Sequence, residues 1–299
     1  MTESIKSGYK GAVFCAILAA ALFALSTPFS KLFLNDVPPM MMAAFLYLGA
    51  GIGMIFIWIL KKVFRTQTKE MHLSKKDMPY VLAMIFLDIA APISLMLGLT
   101  MTTASNASLL NNFEIVATSV IALMIFKEVI SKRLWFAILL VTAASILLSV
   151  EDFSTITFSV GSFFVIAACI FWGFENNCTK MISGKDPLEI VLIKGIFSGL
   201  GALAIALFAG EAMPQLIFCI LVLILGFVSY GLSIFFYVYA QRSLGAAKTS
   251  TYYAVAPFLG VGFSLIIFRE LPSLVFIIAL VIMTAGVYFA SSGVKQAEK

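Results

Sequence analysis

Residues 102–128 read TTASNASLLNNFEIVATSVIALMIFKE. The run is apolar over a length that can cross a bilayer, for which roughly 20 residues suffice. Near its middle stand Asn111, Asn112 and Glu114. A carboxylate at bilayer depth costs several kcal/mol, so it faces a cavity or the interior of a bundle. This helix therefore demands a polar interior that other helices wall, and the rest of the chain reads as those walls.

Of 299 residues, 62% are hydrophobic and 12% charged, against about 25% charged in a soluble chain. That balance makes an all-α integral membrane protein. The net charge of +5 is no nucleic-acid footprint, because the basic residues lie between apolar runs, where they encode orientation. Cys15, Cys169, Cys178 and Cys219 fall in apolar runs without CxxC spacing and read as free core thiols. His72 is the one histidine and lies in a lysine-rich loop. Zinc chemistry and Ser-His or Cys-His catalysis have nothing to build on, and no cofactor is called for. The N-terminal apolar run continues past any plausible cleavage region to Leu34, so it reads as an uncleaved first helix.

Ten spans are expected, at 11–34, 40–60, 79–99, 102–126, 132–150, 158–182, 188–209, 213–240, 246–268 and 272–291. The connections are short except for 61–78, KKVFRTQTKEMHLSKKDM, which reads as a solvated cytoplasmic basic loop. With the N-terminus inside, 17 of the 20 Lys and Arg fall in the tails and even-numbered loops. Only Lys31 and Arg269 fall outside, and Lys194 lies within a span. Both termini are then cytoplasmic.

The halves repeat. FALSTPFSK (23–31) aligns with WGFENNCTK (172–180), placing Lys31 on Lys180 and Pro38 on Pro187. IFKE (125–128) aligns with IFRE (267–270), and VTAAS (141–145) with MTAGV (283–287). Each half, 1–150 and 158–291, holds five spans, an odd number, so the second is inserted upside down. Inverted repeats of this kind characterise secondary transporters, whose site lies near the midplane between the repeats.

Five plus five spans resemble the drug/metabolite transporter superfamily, EamA type. So does the Trp-Gly step followed by a lysine in FWGFENNCTK (171–180), and so does the fourth span of the second half, with Gly-Ala-Ala at 245–247, Pro257 and, thirteen residues on, Glu270. The resemblance covers nearly the whole chain and implies export of metabolites or drugs from a bacterial cytoplasm. One departure matters. Ile115 stands where the first-half proline belongs, preceded by Glu114, so the general pattern does not account for Glu114.

Four ionisable side chains lie within spans: Asp88, Glu114, Glu175 and Lys194. Counting from the outer helix ends puts Asp88 and Glu114 both about 16–18 Å deep, near the middle of a core ~30 Å thick. As neighbours on consecutive helices they would form a carboxylate pair able to bind and release a proton; the competing reading leaves Asp88 merely hydrogen-bonded in a vestibule. Glu175 and Lys194 both lie about 10 Å from the cytoplasmic end, within reach of a buried ion pair. Trp172 and Thr179 sit one turn from Glu175, with Asn176 beside it, and Trp172 could cover a bound ammonium.

Tyr230, Ser233 and Tyr237 share a face at i, i+3, i+7, and Tyr252 and Tyr253 precede Pro257. Pro28, Pro92 and Pro257 are expected to interrupt helices and free carbonyls toward the cavity. Gly49, Gly51, Gly53, Gly195, Gly199 and Gly201 suit close helix packing. No GxxxxGK[ST] occurs, so energy comes from gradients. Three interior carboxylates against one lysine favour an amino acid or other amine as substrate. The expected protein is a proton-coupled transporter, monomeric or homodimeric, whose partners are its small-molecule substrate and membrane lipids. A passive channel or a lipid flippase is the alternative; an intramembrane enzyme lacks the residues.

Overall fold

A computed structural model shows a helical bundle. The described residues are 3–64, 71–127, 130–152, 157–244, 249 and 252–297. Part of the basic loop (65–70), Glu128 of IFKE and 245–247 of the second-half pattern lie outside them.

The first half runs α1 (Glu3–Ala24), α2 (Ser26–Phe33), α3 (Pro39–Val63), a 3₁₀ turn (Lys75–Asp77), α4 (Met78–Met101), α5 (Ala104–Leu110), α6 (Phe113–Phe126) and α7 (Lys132–Ser149). A two-stranded antiparallel ribbon, β1 (Val150–Asp152) and β2 (Thr157–Phe158), joins the halves. The second half runs α8 (Val160–Ile182), α9 (Pro187–Phe208), α10 (Leu216–Gly226), a π-helical turn (Phe227–Leu232), α11 (Ser233–Leu244), α12 (Ala256–Phe268) and α13 (Leu274–Ala297). Among the described residues, eight segments are long and apolar enough to cross a membrane, and the apolar helices 256–268 and 274–290 are shorter. Phe56, Phe86, Leu139, Phe163, Phe197, Ile266 and Val281 project outward from seven helices, as a lipid-facing surface requires.

Several helices depart from simple rods. The first span breaks at Leu25 because Pro28 has no N–H for the Ala24 carbonyl. The opening stretch does not run straight either. At Asn111 and Asn112 its backbone tightens to i→i+3 bonds, Asn112 N to Leu109 O (3.2 Å), Glu114 N to Asn111 O and Ile115 N to Asn112 O (both 3.1 Å). The Asn112 amide competes there, donating to Leu109 O at 3.1 Å. The expectation for Pro92 is corrected: α4 passes through it unbroken, since close packing against α8 holds the helix across the missing bond. Pro257 opens α12, where its missing N–H costs nothing.

Small residues decide which helices meet. A Cβ on Gly51 would lie 2.7 Å from Ile196 N, so α3 crosses α9 there. A Cβ on Gly98 would lie 2.8 Å from Gly161 O, which sets α4 against α8. A Cβ on Gly173 would lie 2.7 Å from Ala117 Cβ, which sets α6 against the same α8. Helix α8 therefore lies between α4 and α6. Likewise α1 packs on α11 and α7 on α13. The main core draws on both halves, with Met41, Leu46, Leu95, Leu99, Leu110, Trp172, Val222 and Met283 among its members.

Polar side chains tie the helix ends. Lys31 Nζ donates to the carbonyls of Leu99 and of Thr102 (2.8 Å), capping the C-terminus of α4. Lys127 and Arg269, which align in the motifs IFKE and IFRE, both end their helices in the left-handed conformation, at φ 55° and 52°. Glu211 accepts from Met40 N (3.1 Å) and Met41 N (2.8 Å), in the first turn of α3. A carboxylate there stabilises by about 1 kcal/mol. Glu211→Ala is accordingly expected to lower the melting temperature of purified protein by about 2–4 °C; a melt superimposed on wild type would show that the cap contributes nothing.

Candidate functional site

Lys194 on α9 extends its ammonium between two carboxylates. Nζ lies 2.9 Å from Glu175 Oε1 on α8 and 3.1 Å from Asp88 Oδ2 on α4. All three residues are buried: Asp88 is 0%, Glu175 2% and Lys194 8% exposed. Buried charges of this kind persist only when paired and hydrogen-bonded. Tyr47 on α3 donates to Asp88 Oδ1 at 2.8 Å, and Trp172 Nε1 donates to the Tyr47 hydroxyl at 3.4 Å. Thr179 donates to Glu175 Oε1. The cluster thus joins α3 and α4 of the first half to α8 and α9 of the second.

Glu114 belongs to an adjoining group. Asn176 Nδ2 donates to Glu114 Oε1 at 2.6 Å and approaches Thr118 Oγ1 at 3.4 Å. Glu114 is only partly buried, unlike Asp88 and Glu175. Because α8 stands between α4 and α6, Asp88 and Glu114 do not form the expected carboxylate pair; Asp88 pairs with Lys194 instead. The two neighbouring residues of α8, Glu175 and Asn176, point about 100° apart and serve one group each.

The tyrosines form a third wall. Tyr230, in the π-helical turn, meets Tyr47 at a tilt at 5.2 Å and Phe23 edge-on at 5.8 Å, and its hydroxyl accepts from Ser26 at 3.3 Å. Tyr253 lies 5.0 Å from Tyr237 and 5.9 Å from Phe23, with its hydroxyl 3.4 Å from Ser233 Oγ. Ser233 donates to Ala19 O at 2.9 Å. The face carrying Tyr230, Ser233 and Tyr237 thus turns toward α1 and the chain before α12.

Asn111 and Asn112 serve differently. Cys169 Sγ approaches Asn111 Oδ1 at 3.9 Å, and Asn111 lines a void of about 10 Å³ with Phe23, Thr27, Ser108 and Pro257. That is room for about one water. Among the described residues, Asn112 Oδ1 and Ser108 Oγ are buried without a hydrogen-bond partner, and Ser108 lines the same void. A wider vestibule of about 440 Å³ opens elsewhere, lined by Lys31, Thr100, Thr102, Asn106 and Ser159.

The sequence reading missed Tyr47, Ser26, Phe23 and Cys169. Tyr47 carried a signal: it is the one tyrosine in the long apolar run of α3, and a phenol in a membrane needs a partner. Ser26 and Phe23 carried none, since neither is unusual in an apolar helix.

The chain is 30% identical over 294 residues to an uncharacterized transporter of Methanothermobacter thermautotrophicus, covering 91% of this chain and 83% of that protein. Its fold is similar to that of a solved protein crystal structure at TM-score 0.66 and 15% identity, over 98% of each chain. The model of the EamA-like transporter family matches twice, at residues 10–150 and 159–292, on either side of the β-ribbon. A multi-pass helical bundle with ionisable side chains buried between its halves thus belongs to the EamA-like transporter family.

Proposed function

We propose that the protein is a secondary active transporter that moves a small amine-bearing metabolite, such as an amino acid, across the cytoplasmic membrane by alternating access. The observation that carries this reading is the buried ionisable cluster at the junction of the halves, with the partly buried Glu114 beside it. Static structure alone does not need three buried charges, because an apolar replacement of similar volume is often as stable. Glu114 is the proton-coupling residue, and Asn176, Asn111 and Asn112 offer amide groups to the substrate's polar ends.

The bundle is read as ten spans in two five-helix repeats of opposite orientation, with both termini cytoplasmic. In support, α4 packs on α8 in one direction and α11 on α1 in the other, while α3 meets its equivalent α9 and α7 its equivalent α13. Export is the direction proposed, and the unit is a monomer or homodimer.

Reconstitution in liposomes tests the reading. Under an imposed pH gradient, uptake of labelled amino acids and simple amines is expected to saturate and to accelerate when unlabelled substrate is loaded on the other side. Flux that stays linear with concentration and ignores the trans side would assign a channel instead.

A further inference from the structure

The Lys194 ammonium sits where a bound substrate amine would be held. Asp88 Oδ2 and Glu175 Oε1 converge on one nitrogen, at 3.1 and 2.9 Å. Both carboxylates are held in place by groups other than the lysine: Tyr47 fixes Asp88 Oδ1 at 2.8 Å, with Trp172 behind it, and Thr179 holds Glu175. Asp88 Oδ2 is buried, and its one close polar neighbour among the described residues is Lys194 Nζ. A cation site preformed from three helices is thus filled by a side chain delivered from a fourth. The lysine stem is flexible, and its ammonium is a compact point charge that other primary ammonium groups match in size.

We propose that the Asp88–Glu175 carboxylate pair is the ammonium subsite of the carrier, and that Lys194 is its resident ligand when no substrate amine is bound; this rests on the transport reading above. The ligand class is a primary ammonium compound with a short hydrocarbon arm. The phenol and indole of Tyr47 and Trp172 bound the site. Charge supports the exchange. Asp88, Glu175 and Lys194 together carry one net negative charge when all are ionised, so a second monocation neutralises the cluster. The lysine keeps one carboxylate while the substrate takes the other. Among the described residues, the other ionisable groups facing the cluster are Tyr47 on α3, Glu114 on α6, Cys178 on α8 and Tyr230 in the π-helical turn.

Chemical rescue tests the assignment on the full-length protein in detergent. Lys194→Ala leaves two buried carboxylates facing each other and is expected to lower the melting temperature by about 10 °C. Propylammonium and butylammonium chloride are expected to restore at least half of that loss, while sodium and tetramethylammonium chloride at equal ionic strength do not. In Lys194→Met the stem volume is kept, so methylammonium should act better than butylammonium. In the double variant Glu175→Gln, Lys194→Ala the amine response should fall well below that of Lys194→Ala, because only Asp88 is left to hold the ammonium.

A variant that fails to accumulate is grown with propylammonium in the medium, and recovery there but not with sodium supports the subsite. Amines acting no better than sodium on the single variants, an equal amine response in the double variant, or no recovery in either medium overturns it. Should rescue fail while pH-driven amine flux in liposomes persists, the subsite alone is wrong. Should rescue succeed while no amine is transported, the transport reading is wrong and the cation site stands.

Discussion

Glu114→Gln is expected to reduce gradient-driven uptake to the level of protein-free liposomes while leaving the melting temperature unchanged. The reason lies in the geometry of its partner. Asn176 Nδ2 donates to Glu114 Oε1 at 2.6 Å, and a glutamine oxygen accepts the same bond in the same place. Shape and packing therefore survive, and what is lost is the ability to take up and release a proton. Glu114 suits that task better than its neighbours. Asp88 and Glu175 are already tied to the Lys194 ammonium, whereas the Glu114 carboxylate accepts from the neutral Asn176 amide and keeps some access to its surroundings. A carboxylate taken by a proton on one side and by substrate on the other couples two fluxes. Wild-type uptake should vary with pH, and residual uptake by the variant should not. Normal transport by Glu114→Gln with unchanged pH dependence would make this carboxylate a structural hydrogen-bond acceptor.

Gly226→Ala carries a large expected effect on folding. Helices α3 and α10 cross with backbone against backbone. A Cβ on Gly226 would fall inside the envelope of the Leu46 carbonyl oxygen, and one on Gly49 inside that of Leu223. Neither obstacle is a flexible side chain that can swing aside, so one methyl forces the helices apart. Overpacking of a tight contact costs on the order of 3 kcal/mol, and here it also opens the core between Leu46 and Val222. Each single variant should lose about 5–10 °C of melting temperature and much of its yield. The two changes should be less than additive in combination, because one separation relieves both clashes. Gly262→Ala is the control: nothing lies within 4 Å of its Cβ, and alanine is the better helix former. If Gly226→Ala melts with wild type, the crossing is looser than the structure shows.

Much of the protein was legible in the chain itself. Hydropathy and charge are local sums, and they identified a multi-pass membrane protein and placed nearly every helix within a few residues. IFKE and IFRE align in the sequence, and the structure gives the basic residue of each motif, Lys127 and Arg269, the same left-handed cap. The Glu175–Lys194 pair was also readable, because two opposite charges at one depth in a low-dielectric interior have little choice but to meet.

Other features depended on neighbours that no local pattern names. Counting along helices gives depth but not azimuth, so Asp88 and Glu114 looked like partners. Only the packing of Gly98 against Gly161, and of Gly173 against Ala117, shows that α8 intervenes and sends each carboxylate to a different partner. Tyr47 joined the site because the crossing of α3 with α9 at Gly51 and Gly195 brings its phenol to Asp88. The π-helical turn at Phe227–Leu232 leaves no mark in hydropathy, yet it aims Tyr230 at Tyr47. What the sequence by itself determined is what each helix must hide from lipid. Which hidden groups meet was decided by the tertiary structure, because that depends on how closely two backbones approach and on the rotation of each helix about its axis.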